Sequence, residues 1–448
     1  MNLPIRSSRH PFLGHLPRFV MNPLSLLTSC AESGSRAVPL SLAHIPALVV
    51  LDPGEIERVL VTEHSEFVKP IWLRTAAVRR LLGDGLVTTD GDVWRQKRRA
   101  CGHAFLQRRM DGYGCAIGEV LTRVLSAWKP GETRSLQQEM SHLTLDFVAR
   151  TLLEADVPGW TEPVSDAMDS LMARFASKAS LYGLAPWPPG LAEISAARKL
   201  NRYVDLLIEN SPRSAPGKPV DPARSSLLTM LRAPVELGGQ GLSGRALRDQ
   251  IKTFLGAGYE SSALTATWAF LLLAQHPKAD EAMYSEIRSN VPDGTPAPGD
   301  LARLPYTQAV VKETLRLYPP LWMTGRESTR RCVIGGTQVR PGTLVMTSQW
   351  AVHRSPVHFR DPDRFRPERW LNGETSDLPR FAYFPFGGGP RICIGQNFAM
   401  MESMLLLVAI ASKFQLLPID GPAIQPWPTM TLRPSREIQV QLNARRQM

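Results

Sequence analysis

The chain has 448 residues, with 52 Lys and Arg against 41 Asp and Glu, for a formal net charge of +11 at pH 7. An apolar fraction of 43%, a charged fraction of 21% and the lack of any repeat exclude a disordered, collagen-like or coiled-coil protein. The length suffices to bury a core without disulfides or a structural metal. Proline, at 38 residues, exceeds the usual share of about 5% and predicts many fixed turns.

No window reaches the ~18 consecutive apolar residues of a spanning helix; 268–274 and 404–411 read as parts of buried helices. The amino terminus lacks the apolar stretch of a secretory signal, so a cytoplasmic protein is expected. Five scattered cysteines, Cys30, Cys101, Cys115, Cys332 and Cys393, include no CxxC pair and fit a reducing compartment. Basic clusters at 95–99, 108–109 and 330–331 come without any nucleic-acid-binding signature. They read mainly as solvated surface, with an acidic partner or anionic membrane as the lesser reading.

In chain order, 47–51 reads as a strand ended by the turn Asp52-Pro53-Gly54. Helical spacing follows at 93–105, 110–128, 136–153, 164–179 and 194–210, with a Pro/Ser/Gly-rich loop over 211–224. The stretch 243–276 opens on Ser243, a good N-cap, and stops before Pro277. A continuous helix there spans about 50 Å, enough to cross the protein. Its middle, residues 254–262, holds Gly256, Gly258, Glu260, Ser261 and Ser262. Interior glycines cost about 1 kcal/mol each. Either a neighbouring helix crosses closely there, the reading favoured by this segment alone, or the helix presses on a flat ligand. A further helix over 306–317 places Glu313 and Arg316 on one face. Segments 333–339 and 343–347 read as strands of a small sheet, to which 437–442 could add. The fold class is mainly α with small β-sheets, in a single domain over 1–448.

The segment Phe384-Pro385-Phe386-Gly387-Gly388-Gly389-Pro390-Arg391-Ile392-Cys393-Ile394-Gly395 forms a tight loop ahead of a helix. Cys393 thus precedes a helix amino terminus, where backbone N–H groups favour an anionic sulfur. A nucleophile would need a histidine base, and none is near in sequence. A metal-bound thiolate fits better, although zinc would require three more ligands that the spacing does not supply.

Phe386-x-x-Gly389-x-Arg391-x-Cys393-x-Gly395 matches the heme-ligand signature of the cytochrome P-450 superfamily. Glu313-x-x-Arg316 resembles that family's K-helix pair, and residues 365–370 resemble the segment whose arginine, here Arg369, completes a Glu-Arg-Arg cluster. Residues 257–261 resemble the oxygen-binding groove of the long I helix, and Trp94-x-x-x-Arg98 the motif that meets a heme propionate. The resemblance covers about residues 11–434; by 85–91 and 257–262 it looks closer to bacterial relatives of fatty-acid hydroxylases than to camphor-type enzymes. It implies heme b between the long helix and the Cys393 loop, with Cys393 as axial iron ligand and Trp94, Arg98, Arg326 and Arg391 holding the propionates. Glu313, Arg316 and Arg369 would be structural. Glu260 and Ser261 would arrange water and protons at bound dioxygen. Threonine usually stands where this chain has Ser261; serine keeps the hydroxyl and loses the methyl that restrains its rotamer, which leaves the coupling of oxygen activation less certain.

The same resemblance puts Ile71, Leu82, Phe254, Ala257, Trp322, Met323 and Met430 around a pocket for a lipophilic, fatty-acyl or terpenoid-like molecule, with 71–82 and 186–190 as segments that could open it. No flavin-domain signature is present, so electrons from NAD(P)H are expected through an acidic ferredoxin or flavodoxin and its reductase, docking on Arg95, Lys97, Arg99, Arg108 and Arg109. The expected activity is hydroxylation or epoxidation. The alternatives are a heme-thiolate isomerase or peroxygenase that needs no redox partner, and a non-catalytic heme sensor.

Overall fold

The computed structural model describes residues 10–75, 78–79, 82–157, 159–176, 190–211, 226–232, 242–419 and 421–445. The expected loop beyond Ser211, the end of the 164–179 helix, residues 186–189 and parts of 71–82 lie outside them.

A 32-residue helix, Gly244–Gln275, is the axis of the fold. From Ser262 to Leu273 every side chain is buried, as expected of a helix that is apolar all round. Ser243 has the extended cap conformation but makes no side-chain cap bond. At the other end Pro277, which has no N–H to lose, opens the next helix, Pro277–Asn290.

The glycines admit close neighbours. A Cβ added at Gly258 would lie 3.0 Å from Val148 Cγ2, and one at Gly256 would lie 3.1 Å from Met168 Cε. Val148 ends the helix Leu136–Val148, whose Thr144 hydroxyl donates to the Tyr259 carbonyl at 3.0 Å. Helix crossing therefore accounts for these two positions.

Around this axis pack the helices Met110–Leu125, Pro305–Leu317 and Gln396–Ala411 in one large apolar cluster. A five-stranded sheet forms a second region, in the order Ala37–Leu42, Ile45–Val50, Leu344–Thr347, Thr324–Ser328, Phe67–Val68. Ile45–Val50 runs parallel to Leu344–Thr347, and the other pairs are antiparallel.

Two strand expectations need correction. Residues 333–339 are not one strand but a hairpin of Cys332–Ile334 and Thr337–Val339, turned by Gly335 and Gly336, both at positive φ. The carboxy-terminal strand is Gln439–Ala444, and it joins a different sheet, between Thr133–Ser135 and Phe414–Pro418. Among the described residues no helix is long and apolar enough to cross a membrane.

Candidate active site

The cysteine loop is shaped by backbone contacts. The Cys393 N–H donates to the Phe386 carbonyl at 2.9 Å. The Phe384 N–H donates to His353 Nε2 at 2.9 Å. Burial, aided by the nearby Arg316 charge, pushes His353 down to about 3, so it stays a neutral acceptor. Gly389 has φ +67°, and a Cβ there would collide with the Leu60 carbonyl; only glycine fits.

The Cys393 side chain is exposed by surface area, yet protein surrounds it closely enough that burial raises the thiol pKa. Both observations describe a group at the floor of a recess. The hydrogen bond from the Gly395 amide and the Arg98 charge oppose the rise and favour the thiolate.

The central helix forms a neighbouring wall. Between Leu247 and Leu273 only Ala257 is exposed, and Ser261, one turn on, is half-buried. Two bridges join this wall to the cysteine loop. Phe254 stacks on Phe105 at 5.7 Å, and Phe105 lies against Gly395. On the other side the Ser262 hydroxyl donates to Glu402, which sits on the helix that follows the loop. Glu402 is buried with no cation beside it among the described residues, and burial pushes it up to about 8.

A group of cations collects at one edge. Arg391 lies over the Trp94 ring at 4.6 Å and pairs through Nη2 with Asp90, while its Nη1 is buried without a partner. Arg326 projects from the strand Thr324–Ser328, and its printed hydrogen bond goes to the Gly325 carbonyl at 2.8 Å. Burial, then the Arg391 charge, lower Arg326 to about 10. Arg98 is half-buried, and burial lowers its pKa as well. No carboxylate stands within ion-pair distance of Arg326 or Arg98 among the described residues. Trp94, Arg98, Arg326 and Arg391 are the four candidates that the family resemblance named.

It missed two. Lys69 is buried and donates to the Leu86 and Thr89 carbonyls at 2.8 and 2.7 Å; burial, then the charge of Arg391, lower it to about 7. A lone lysine carries no sequence signal. Asp90 accepts from the Lys69 amide at 2.7 Å and the Gly91 amide at 2.8 Å. It also takes the Nη2 donor of Arg391. Burial raises Asp90, but these hydrogen bonds outweigh it and hold the carboxyl below its usual range. An Asp just before the helix Gly91–Gly102 was a readable cap signal.

Glu313, Arg316 and Arg369 meet in a second, fully enclosed cluster. Glu313 accepts both Arg316 Nε and Nη2, at 2.9 and 2.8 Å, and Arg369 Nε at 3.0 Å. The Trp370 indole and the Arg366 amide add bonds at 2.9 and 3.0 Å. The remaining guanidinium donors reach the carbonyls of His353, Pro362 and Arg364 from Arg316, and those of Arg360 and Asp361 from Arg369.

Glu260 and Ser261 face different partners. The Ser261 hydroxyl donates back to the Ala257 carbonyl at 2.9 Å. Glu260 is buried, accepting from Arg433 Nε at 2.6 Å and the Thr431 hydroxyl at 2.9 Å. Arg433 also pairs with Asp169 at 2.9 Å. The 429–433 segment is brought there by the Trp268 indole, which donates to the Leu432 carbonyl at 2.9 Å.

Of the expected pocket residues, Trp322 is a core residue whose indole donates to the Thr429 carbonyl at 2.9 Å, and Ile71 faces solvent. Leu82, Met323 and Met430 are half-buried. The expected basic docking face also shrinks. Arg95, Arg99 and Arg108 are exposed. Lys97 donates to the Asp84 carbonyl, and Arg109 is buried against the Tyr113 ring.

These residues fit a heme. A thiol lies at the floor of a recess, and an arginine Nη1 without a partner among the described residues sits among cations short of carboxylates. No group of three His, Cys, Asp or Glu side chains gathers to hold a bare metal ion among the described residues. A single thiolate suits an iron whose remaining ligands come with a macrocycle.

Comparisons with known proteins agree. The cytochrome P-450 family model matches residues 4–442. The chain is 32% identical over 416 residues to a cyclooctat-9-en-7-ol 5-monooxygenase of Streptomyces melanosporofaciens, covering 92% of this chain and 89% of that protein. It is 32% identical to a cyclooctatin synthase of the same organism, covering 94% and 92%. It is 30% identical to a pentalenene oxygenase of Streptomyces avermitilis, covering 97% and 96%. With its cysteine loop, its cation cluster and a family match along nearly its whole length, the chain belongs to the cytochrome P-450 family.

Proposed function

We propose that this protein is a cytoplasmic, single-domain heme-thiolate monooxygenase that hydroxylates or epoxidises a cyclic, apolar, terpenoid-like molecule. The observation that carries the reading is the Cys393 loop region, tied through Phe105 and Phe254 and through Glu402 and Ser262 to the central helix that bears the exposed Ala257 and half-buried Ser261. The two relatives whose names state a substrate act on cyclooctat-9-en-7-ol and pentalenene, which favours a terpenoid-like substrate over a fatty acyl chain.

Heme, when bound, supplies the activation of dioxygen. Cys393 Sγ would bind its iron, and the Gly395 amide and Arg98 favour the sulfur in its anionic form. Arg98, Arg326, Arg391 and Lys69 would hold its two carboxylates by charge-assisted hydrogen bonds, with Trp94 backing Arg391. Ser261 Oγ would hold a water or pass a proton after leaving the Ala257 carbonyl. Glu260 would share in that transfer once released from Arg433. Ala257, Met323, Met430, Leu82 and Phe254 would border the substrate.

Electrons would come from NAD(P)H through an acidic ferredoxin or flavodoxin docking on Arg95, Arg99 and Arg108. The test is turnover of cyclic terpenoid alkenes and alcohols under ¹⁸O₂ with a reconstituted donor chain. One labelled oxygen atom per product supports the reading; a rearranged, unlabelled product formed without reductant contradicts it.

A further inference from the structure

The cation cluster contains one carboxylate, and its placement is informative. Asp90 starts the helix Gly91–Gly102, where one side-chain oxygen takes the Gly91 amide at 2.8 Å and the other takes the Lys69 amide at 2.7 Å. The oxygen that binds Gly91 also takes Nη2 of Arg391, two residues before the thiolate ligand. One carboxylate therefore ties three pieces of backbone together: the Lys69 segment, the start of the Trp94 helix and the cysteine loop. Arg391 is left lying over Trp94 at 4.6 Å with Nη1 buried and unpartnered. Lys69, Arg326 and Arg391 stand around Asp90, and their charges act on one another. The cations here outnumber the one carboxylate, so the cluster keeps an excess of positive charge that the carboxylates of a heme can meet.

We propose that Asp90 is a positioning residue of the cofactor site: it holds one edge of the Arg391 guanidinium, leaves Nη1 for a heme carboxylate, and trims the local charge to match the cofactor. The proposal rests on the heme reading given above. It assigns Asp90 a role beyond capping a helix, because a cap needs only an oxygen acceptor, whereas charge matching needs the negative charge.

Asp90→Asn separates the two roles. The asparagine oxygen can still accept the Gly91 amide, so the helix start keeps its cap, while the negative charge and the bond from the Lys69 amide are lost. A negative charge near the iron disfavours the added electron of the reduced state, so its removal shifts the reduction potential upward. Arg391→Gln removes a positive charge and shifts the potential downward. In the double variant, whose net charge equals that of the wild type, the potential returns towards the wild-type value.

The experiment is a spectroelectrochemical titration of the four heme-loaded proteins, with circular dichroism as the check of fold. Opposite shifts in the single variants and compensation in the double variant support the proposal. A potential unchanged in folded Asp90→Asn, or no compensation in the double variant, overturns it and leaves Asp90 a helix cap. A wild type without a thiolate-ligated heme spectrum overturns the heme reading itself, an outcome seen before any variant is compared.

Discussion

The two buried charge clusters of this protein are built from the same side chains to opposite ends. Around Glu313 every guanidinium nitrogen of Arg316 and Arg369 has an acceptor, and the carboxylate takes five hydrogen bonds. Around Asp90 the cations outnumber the carboxylate, Arg391 Nη1 has no partner, and burial lowers both Lys69 and Arg326. Burying a charge is costly unless it is paired. A closed cluster is complete as folded, whereas the open one is complete only with an anion. The difference tells structural ion pairs from binding groups without reference to any relative.

The sharpest way to break this contrast is Glu313→Gln. It leaves two buried guanidinium groups uncompensated, and a loss of about 3–5 kcal/mol is expected, read as a lower urea midpoint. A midpoint near wild type would remove the closed cluster from the account.

Glu402 is a third case, a buried carboxyl with no cation beside it among the described residues. It is raised to about 8 from an ordinary 4.5. Between those values the folded protein keeps a proton that the unfolded chain has lost, so stability falls as pH rises, and the fall ends above about pH 8. The slope approaches about 1.4 kcal/mol per pH unit. Glu402→Gln should remove this contribution, and denaturant titrations from pH 5 to 8 would show whether the slope flattens.

Arg326→Gln should preserve the fold, by far-ultraviolet circular dichroism, and speed heme transfer to apomyoglobin about tenfold. Unfolding like that of Glu313→Gln would mean that the open cluster is structural too. Ser261→Ala should lower product formed per reductant consumed and raise peroxide, while heme binding stays as in wild type; equal coupling would remove Ser261 from proton handling. The smallest effect is expected at the surface. Reversing Arg95, Arg99 and Arg108 together should weaken the salt dependence of electron transfer and move stability by less than about 1 kcal/mol.

What could be read from the sequence was what is local or strictly spaced. The 32-residue helix showed in its cap position, apolar run and terminal proline, and the cysteine loop in glycines that leave no room for a Cβ. Glu313 and Arg316 are one turn apart and legible on one helix face. Arg369 lies 56 residues from Glu313, so only the family pattern joined them. Lys69 and Asp90 escaped as functional groups because their partners, Leu86, Thr89 and Arg391, are assembled by tertiary folding. Arg109 and Lys97 looked like surface because charge alone does not reveal burial; Arg109 lies against Tyr113, and Lys97 spends its ammonium on a carbonyl. The 333–339 hairpin was missed because its strands have three residues each, too short for a period to show.

The account stands most directly on the sulfur of Cys393. The measurement is the absorption spectrum of dithionite-reduced protein under carbon monoxide, for wild type and Cys393→His. A strongly red-shifted Soret band in the wild type, lost in the variant, is the predicted result. A heme spectrum without that shift, or folded protein that takes up no heme, would contradict it.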